Sequence, residues 1–298
     1  MNPQAEFTQA QIWWLAARPK TLPAAAAPVL AGTASAAARG HFDPIPFLAA
    51  LLGALFIQIG TNLANDLFDF AKGADTAERL GPLRVTQAGL LTTRQVRRGM
   101  WTAFGGAALF GVVLIYYGGW PIAAIGLLSI LAGIAYTGGP YPLGYHGLGE
   151  VFVFLFFGLA AVGGSYYVQV GVFDSSVLWT GAAIGSLAAA ILVVNNLRDL
   201  ATDAKAGKRT LAVRFGERAA RIEYLILLIS AYSIAIVRAG SGGQHLWLLL
   251  VLVTLPRAIR LIGLVFRATG KPLNAALAGT GRLELEFSIL FGIGLLIG

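Results

Sequence analysis

The chain has 298 residues, of which 57% are hydrophobic and 12% charged, with a mean hydropathy of +0.72. A soluble domain carries roughly 25% charged residues, so this composition excludes an ordinary soluble globule. Its apolar runs specify an all-α polytopic membrane protein rather than a barrel, whose strands would alternate in polarity. The net charge of +8 follows from basic connections, as the positive-inside bias places them, and needs no nucleic acid to explain it; with no cysteine, disulfides and thiolate metal sites are excluded.

Taken in order, the chain starts with a short polar stretch to Gln11, an interfacial pair Trp13 and Trp14, then Arg18 and Lys20. That order does not fit a secretory signal, and the first apolar run reads as a retained membrane helix. With about 20 residues per crossing as the ruler, nine stretches qualify: 21–38, 46–70, 96–118, 120–137, 150–170, 177–199, 219–237, 245–265 and 275–297. They form a single integral-membrane domain over 1–298, solvated by membrane lipid. Of the 22 basic residues, only Arg39 and Arg238 then fall outside. The rest lie inside or near inner helix ends, Arg18 and Lys20 before the first stretch and the others in 72–98, 198–221 and 257–282, which predicts an inner (plasma) membrane protein with the N-terminus and basic loops cytoplasmic and the C-terminus out.

The second stretch ends in Asn62, Asn65, Asp66 and Asp69, which a helix places on one face. Ionisable groups at the end of a membrane helix are costly and mark function. A shift of 134 residues lays Asn62 on Asn196, Asn65 on Asp199, Asp69 on Asp203 and Gly73 on Gly207. Both copies end an inward-running helix and lead into a basic loop, the pattern of a degenerate internal repeat. Four carboxylates (Asp66, Asp69, Asp199, Asp203) with Asn62, Asn65, Asn195 and Asn196 around them supply hard oxygen ligands suited to Mg²⁺, completed by substrate phosphates. Lys72, Arg84, Lys208 and Arg209 follow the acids and suit a diphosphate. The alternative is a pair of solvated, capped helix ends with topological charges. No Walker-type loop is present, so the diphosphate belongs on a lipid rather than a nucleotide. Phe152, Phe154, Phe156, Phe157, Tyr166 and Tyr167 could line a slot for its tail and face a carbocation, or simply pack. His41, His146 and His245 lack ligand spacing and read as interfacial.

These residues resemble the UbiA superfamily of intramembrane prenyltransferases. Its first signature stands as Asn65-Asp66-Leu67-Phe68-Asp69 and its second as Asp199-Leu200-Ala201-Thr202-Asp203. Further pieces, Gly81 to Gln87, Tyr136 to Gly144 and Asn195 to Ala212, are most similar to the branch acting on 1,4-dihydroxy-2-naphthoate. The resemblance implies a nine-helix bundle and a reaction of a polyprenyl diphosphate with 1,4-dihydroxy-2-naphthoate, giving demethylmenaquinol, CO₂ and diphosphate in menaquinone biosynthesis. It implies Mg²⁺ on Asn65, Asp66, Asp69, Asp199 and Asp203, and diphosphate contacts from Asn65, Lys72, Arg84, Lys208 and Arg209. Asn62, Tyr136, Asn195, Asn196 and Arg198 are further substrate-binding candidates, Arg198 for the acceptor carboxylate. There are departures: Gly73 stands where ubiquinone-type members have a third acid, with Asp75 nearby, and Pro140 replaces the lysine of a Tyr-x-x-x-Lys loop. Another acceptor (4-hydroxybenzoate, homogentisate or a chlorophyllide) is the nearest alternative. An ion or solute transporter is a remoter one.

Overall fold

The computed structural model describes residues 7–74, 79–240 and 246–298. Asp75 and His245 lie outside them. The described residues form helices and connections, with no strand among them. In order these are α1 (Gln9–Ala17), α2 (Leu22–Ala37), α3 (Pro44–Ala71), α4 (Thr93–Ala135), α5 (Gly149–Val170), α6 (Val177–Arg198), α7 (Leu200–Lys205), α8 (Leu211–Gly240), α9 (Leu246–Arg267) and α10 (Leu273–Ile297).

Local chemistry sets the boundaries. Thr8 with Gln11, and Thr92 with Gln95, form capping boxes that start α1 and α4. Asp43 caps α3, whose first residue is Pro44. All nine predicted stretches fall on helix where described, to within two residues at their ends. Six helices among the described residues are long and apolar enough to cross a membrane. That count takes the 43-residue α4 once, although Gly119 leaves helical geometry in its middle and splits it between the stretches 96–118 and 120–137. It leaves out α2, which has 16 residues, and α10, which carries Arg282, Glu284 and Glu286. The short α1, with Trp13 and Trp14 exposed, was not foreseen as an element.

The interior has two clusters. One gathers Ile12, Leu63, Leu67, Val85, Val96 and Phe104 from α1, α3, α4 and the loop before α4. The larger one gathers Val162, Ile184, Leu187, Tyr224, Phe287 and Phe291 from α2, α5, α6, α8, α9 and α10. Helix α6 is the axis of the second cluster and touches α2, α5, α8 and α10. It meets α5 with no room for a side chain: a Cβ on Gly158 would lie 2.6 Å from the Gly181 carbonyl and 2.7 Å from the Gly185 Cα. This is the close, small-residue packing of membrane helices. At that contact α5 runs as a π-helix from Phe154 to Ala160, a local widening frequent at functional sites.

The internal repeat survives at the level of single hydrogen bonds. At the end of α3 the Gly73 N–H reaches the Phe70 carbonyl and the Ala74 N–H that of Asp69. At the end of α7 the Gly207 N–H reaches Ala204 and the Lys208 N–H reaches Asp203. Each pair is a Schellman closure around a glycine at positive φ, +67° and +74°. Gly73 thus closes its helix at a positive φ that glycine adopts without steric cost. Gly73→Ala and Gly207→Ala should each destabilise the protein by about 1 kcal/mol through left-handed strain. Gly105→Ala, within α4 and facing open space, should not, as thermal unfolding in micelles would show.

Candidate active site

The ends of α3 and α6 meet at one face of the bundle around a cavity of about 230 Å³. Asn62, Asn65, Asp69, Asn195, Asn196, Asp199 and Asp203 line it, together with Arg84, Lys208 and Tyr136. The predicted halves of the site are therefore brought together. Asp69 is the most heavily bonded acid. It accepts from the Tyr145 hydroxyl at 2.8 Å and from Arg84 Nη2 at 3.2 Å, and Lys208 Nζ stands 3.4 Å away. The same ammonium is 3.6 Å from Asp203, so Lys208 ties one repeat to the other. Burial raises the Asp203 carboxyl to about 6; Asp199 and Asp69 add to that, and Lys208 opposes it. Lys72 and Lys208 each lie over the Tyr145 ring, 4.8 and 4.9 Å from its centroid, in cation–π contact.

Several expected roles change. Asp66 does not line the cavity: its two oxygens accept the main-chain N–H groups of Val85 and Thr86, at 3.1 and 3.2 Å. It anchors the loop before α4, and that loop delivers Arg84 to Asp69. Arg198 is 3% exposed and its guanidinium is committed within the protein. It grips Asp199 with Nε at 2.8 Å and Nη2 at 2.5 Å, and it also donates to Asn195 and Asn274. Every nitrogen of its guanidinium is thus engaged within the protein. Arg209 is exposed and absent from the cavity wall; its backbone N–H meets the Tyr145 carbonyl instead. Lys72 Nζ bonds the Thr137 carbonyl at 2.6 Å, beside the cavity rather than in its wall. Among the tentative residues, Asn62 is tied to Ala17 and Thr21, and Asn196 to Glu150.

Other residues line the cavity that motif reasoning passed over: Arg18, Lys20, Gln58, Thr61, Arg79 and Tyr145. Arg18 has φ of +54°, the only positive value on a non-glycine residue among those described. Strain of this kind collects at functional sites. The dense Arg18-Pro19-Lys20 run was a usable signal; for Tyr145, an isolated aromatic, there was none.

A second, apolar cavity of about 120 Å³ adjoins the first, and Gln58, Thr61, Tyr136, Val153 and Phe157 belong to both walls. Phe152 and Phe156 extend it, while Phe154, Tyr166 and Tyr167 do not line it. A further apolar cavity of about 390 Å³ continues from Ala54, Ile57, Ser129 and Ala161 between α3, α4 and α5. Among the described residues no three Asp, Glu or His side chains converge tightly enough to hold a metal unaided.

Residues 25–296 match the UbiA prenyltransferase family. The 1,4-dihydroxy-2-naphthoate octaprenyltransferase of Haemophilus influenzae is 38% identical, with 97% of this chain and 96% of that protein covered. The enzyme of the same name from Mycobacterium tuberculosis is 39% identical, covering 99% of each. Among solved structures, a UbiA homolog from Aeropyrum pernix K1 superposes with a TM-score of 0.68 at 14% identity, covering 92% of this chain and 97% of that one. A UbiA homolog from Archaeoglobus fulgidus bound to GPP and Mg²⁺ does so with 0.63 at 15%, covering 96% and 99%. These two likenesses establish a shared fold.

If Arg198 is a buttress, Arg198→Gln should lower stability by about 3 kcal/mol by leaving Asp199 buried and unpaired. Arg209→Ala should stay within about 0.5 kcal/mol of wild type. Denaturant titration in micelles measures both.

Proposed function

Since the chain belongs to the UbiA prenyltransferase family, we propose that it is a 1,4-dihydroxy-2-naphthoate polyprenyltransferase of menaquinone biosynthesis, a membrane enzyme. It transfers the polyprenyl group of an all-trans polyprenyl diphosphate to 1,4-dihydroxy-2-naphthoate, releasing diphosphate and CO₂ and giving demethylmenaquinol. The observation that carries this reading is the pair of joined cavities, one lined with acids and bases and one apolar, sharing Tyr136 and Phe157. The names of the 33–39% identical relatives support the acceptor.

The donor set fits Mg²⁺. Asn65, Asp69, Asp199 and Asp203 present oxygens to one cavity, and Lys208 already serves two of these acids as a counter-charge. Too few acids converge for a metal held by protein alone, which suits a cation that keeps waters and takes substrate phosphates. These four residues would hold it; when bound, Mg²⁺ supplies Lewis-acid charge to the diphosphate oxygens. Arg79, Arg84 and Lys208 add positive charge where the leaving diphosphate becomes more negative as the allylic C–O bond breaks. Asp66 acts at one remove by seating the loop of Arg84.

The prenyl chain lies in the apolar cavities, which exclude water from the developing allylic cation. Tyr136, Phe152, Phe156 and Phe157 present ring faces to that cation. The acceptor enters beside them. Arg18 and Lys20, on the strained connection between α1 and α2, reach the same chamber and take its carboxylate in place of Arg198. A ring carbon attacks the allylic C1, and the carboxylate leaves as CO₂. The whole chain acts as one domain. By the bias of its basic residues, the N-terminus and the acidic end face the cytoplasm in the inner (plasma) membrane.

Purified protein with Mg²⁺, the naphthoate and a polyprenyl diphosphate should yield the prenylated quinol by mass spectrometry, and chelation should abolish it. A panel of naphthoate, 4-hydroxybenzoate and homogentisate should show turnover on the first. Asp69→Ala and Asp203→Ala should each cut kcat by about 100-fold or more, the scale of losing transition-state electrostatics. Arg209→Ala should remain within a few-fold. Equal losses in all three would refute the assignment.

A further inference from the structure

Glu150 is a buried acid to which the proposed reaction gives no role. It is 6% exposed and lines neither of the joined cavities. It stands in the first turn of α5, where the unpaired N–H groups of a helix favour a negative charge. Its Oε1 accepts from Asn196 Nδ2 of α6 at 2.7 Å, while Oε2 is buried with no hydrogen-bond partner among the described residues. A carboxylate only accepts, so this bond sets which way the Asn196 carboxamide points: Nδ2 toward Glu150 and Oδ1 away from it. Asn196 lines the acidic cavity, and its Oδ1 bonds no group among the described residues. An acid behind the wall thus turns an acceptor oxygen toward the chamber.

Gly149 puts this pair beside the junction of the two cavities. A Cβ there would lie 2.9 Å from the Tyr136 hydroxyl and 3.0 Å from Cδ2 of Leu192, which stands one turn before Asn196 on α6. Tyr136 belongs to both cavity walls. With the diphosphate in the polar cavity and the prenyl chain in the apolar one, the allylic C1 falls at this junction, and the acceptor ring must reach it there. A dihydroxynaphthoate brings two hydroxyl donors, whereas the diphosphate oxygens are acceptors. An oxygen that only accepts therefore matches the ring rather than the leaving group.

We propose, on the prenyl-transfer reading, that Glu150 is a positioning residue for the acceptor. By holding Asn196 it aims Oδ1 at a ring hydroxyl of the dihydroxynaphthoate and so selects for a substrate that carries that hydroxyl. A site built to bond a hydroxyl discriminates against an analogue without it, because the site's own polar group is then left unpaired.

The test is equilibrium binding of 1,4-dihydroxy-2-naphthoate to the full chain in micelles, without Mg²⁺ or prenyl diphosphate, followed by steady-state turnover with all three. Glu150→Leu removes the acceptor oxygen and frees the Asn196 amide to rotate. It should weaken acceptor binding roughly tenfold, the scale of one hydrogen bond. The acceptor KM should rise in parallel, with the KM for the prenyl diphosphate and the Mg²⁺ dependence within about twofold of wild type. Glu150→Gln keeps an oxygen for Asn196 Nδ2 and should restore the affinity to within about threefold. Of 1-hydroxy-2-naphthoate and 4-hydroxy-2-naphthoate, the one lacking the bonded hydroxyl should bind wild type and Glu150→Leu equally. If Glu150→Leu does not fold, Asn196→Ala, which removes the aimed oxygen itself, should show the same losses. The proposal is overturned if these variants bind the dihydroxynaphthoate as wild type does, if Glu150→Gln loses as much as Glu150→Leu, if the loss falls on the prenyl diphosphate or Mg²⁺ instead, or if both monohydroxy analogues keep the full difference. A wild-type chain that neither binds nor prenylates the naphthoate overturns the functional reading as well; turnover by wild type with unaffected variants overturns the role of Glu150 alone.

Discussion

One ammonium holds the two halves of the site in register. Lys208 stands 3.4 Å from Asp69 of the first acidic end and 3.6 Å from Asp203 of the second. At an effective dielectric near 20, unit charges at that separation attract by about 5 kcal/mol. Taking each ion out of water costs several kcal/mol, so the net gain is small. The cluster is therefore poised rather than locked. Its charge pairs can be exchanged for others at little net cost.

The surrounding structure keeps those charges where that exchange is possible. Tyr145 is bonded to Asp69 and flanked by Lys72 and Lys208, so its ring spaces the two cations around the acid. Asp66 and Arg198, both buried, act on the loop and on Asp199 rather than in the cavity. Each does what a supporting residue must do in a low-dielectric site, which is to satisfy buried polar groups so that the reactive ones keep their geometry. Asn274 completes this arrangement by joining Arg198 to the Leu80 carbonyl, and thereby α10 to the loop before α4.

The sequence by itself determined the membrane class, the helical stretches, the two acidic ends and their repeat, because composition, hydropathy and spacing are properties of the chain alone. It also made Asp69, Asp203, Arg84 and Lys208 legible as candidates for one cluster, since the acids recur at one offset and basic residues follow each of them. It could not separate Asp66 from Asp69, or Arg198 from Arg18. Members of each pair share a residue type and a neighbourhood, and differ only in what the fold places against them. Val85 and Thr86 claim Asp66, and Asp199 and Asn274 claim Arg198, through contacts that include partners 19 to 76 positions away. Only tertiary structure decides such contacts, because a side chain's role depends on which donors and acceptors remain once its neighbours are satisfied.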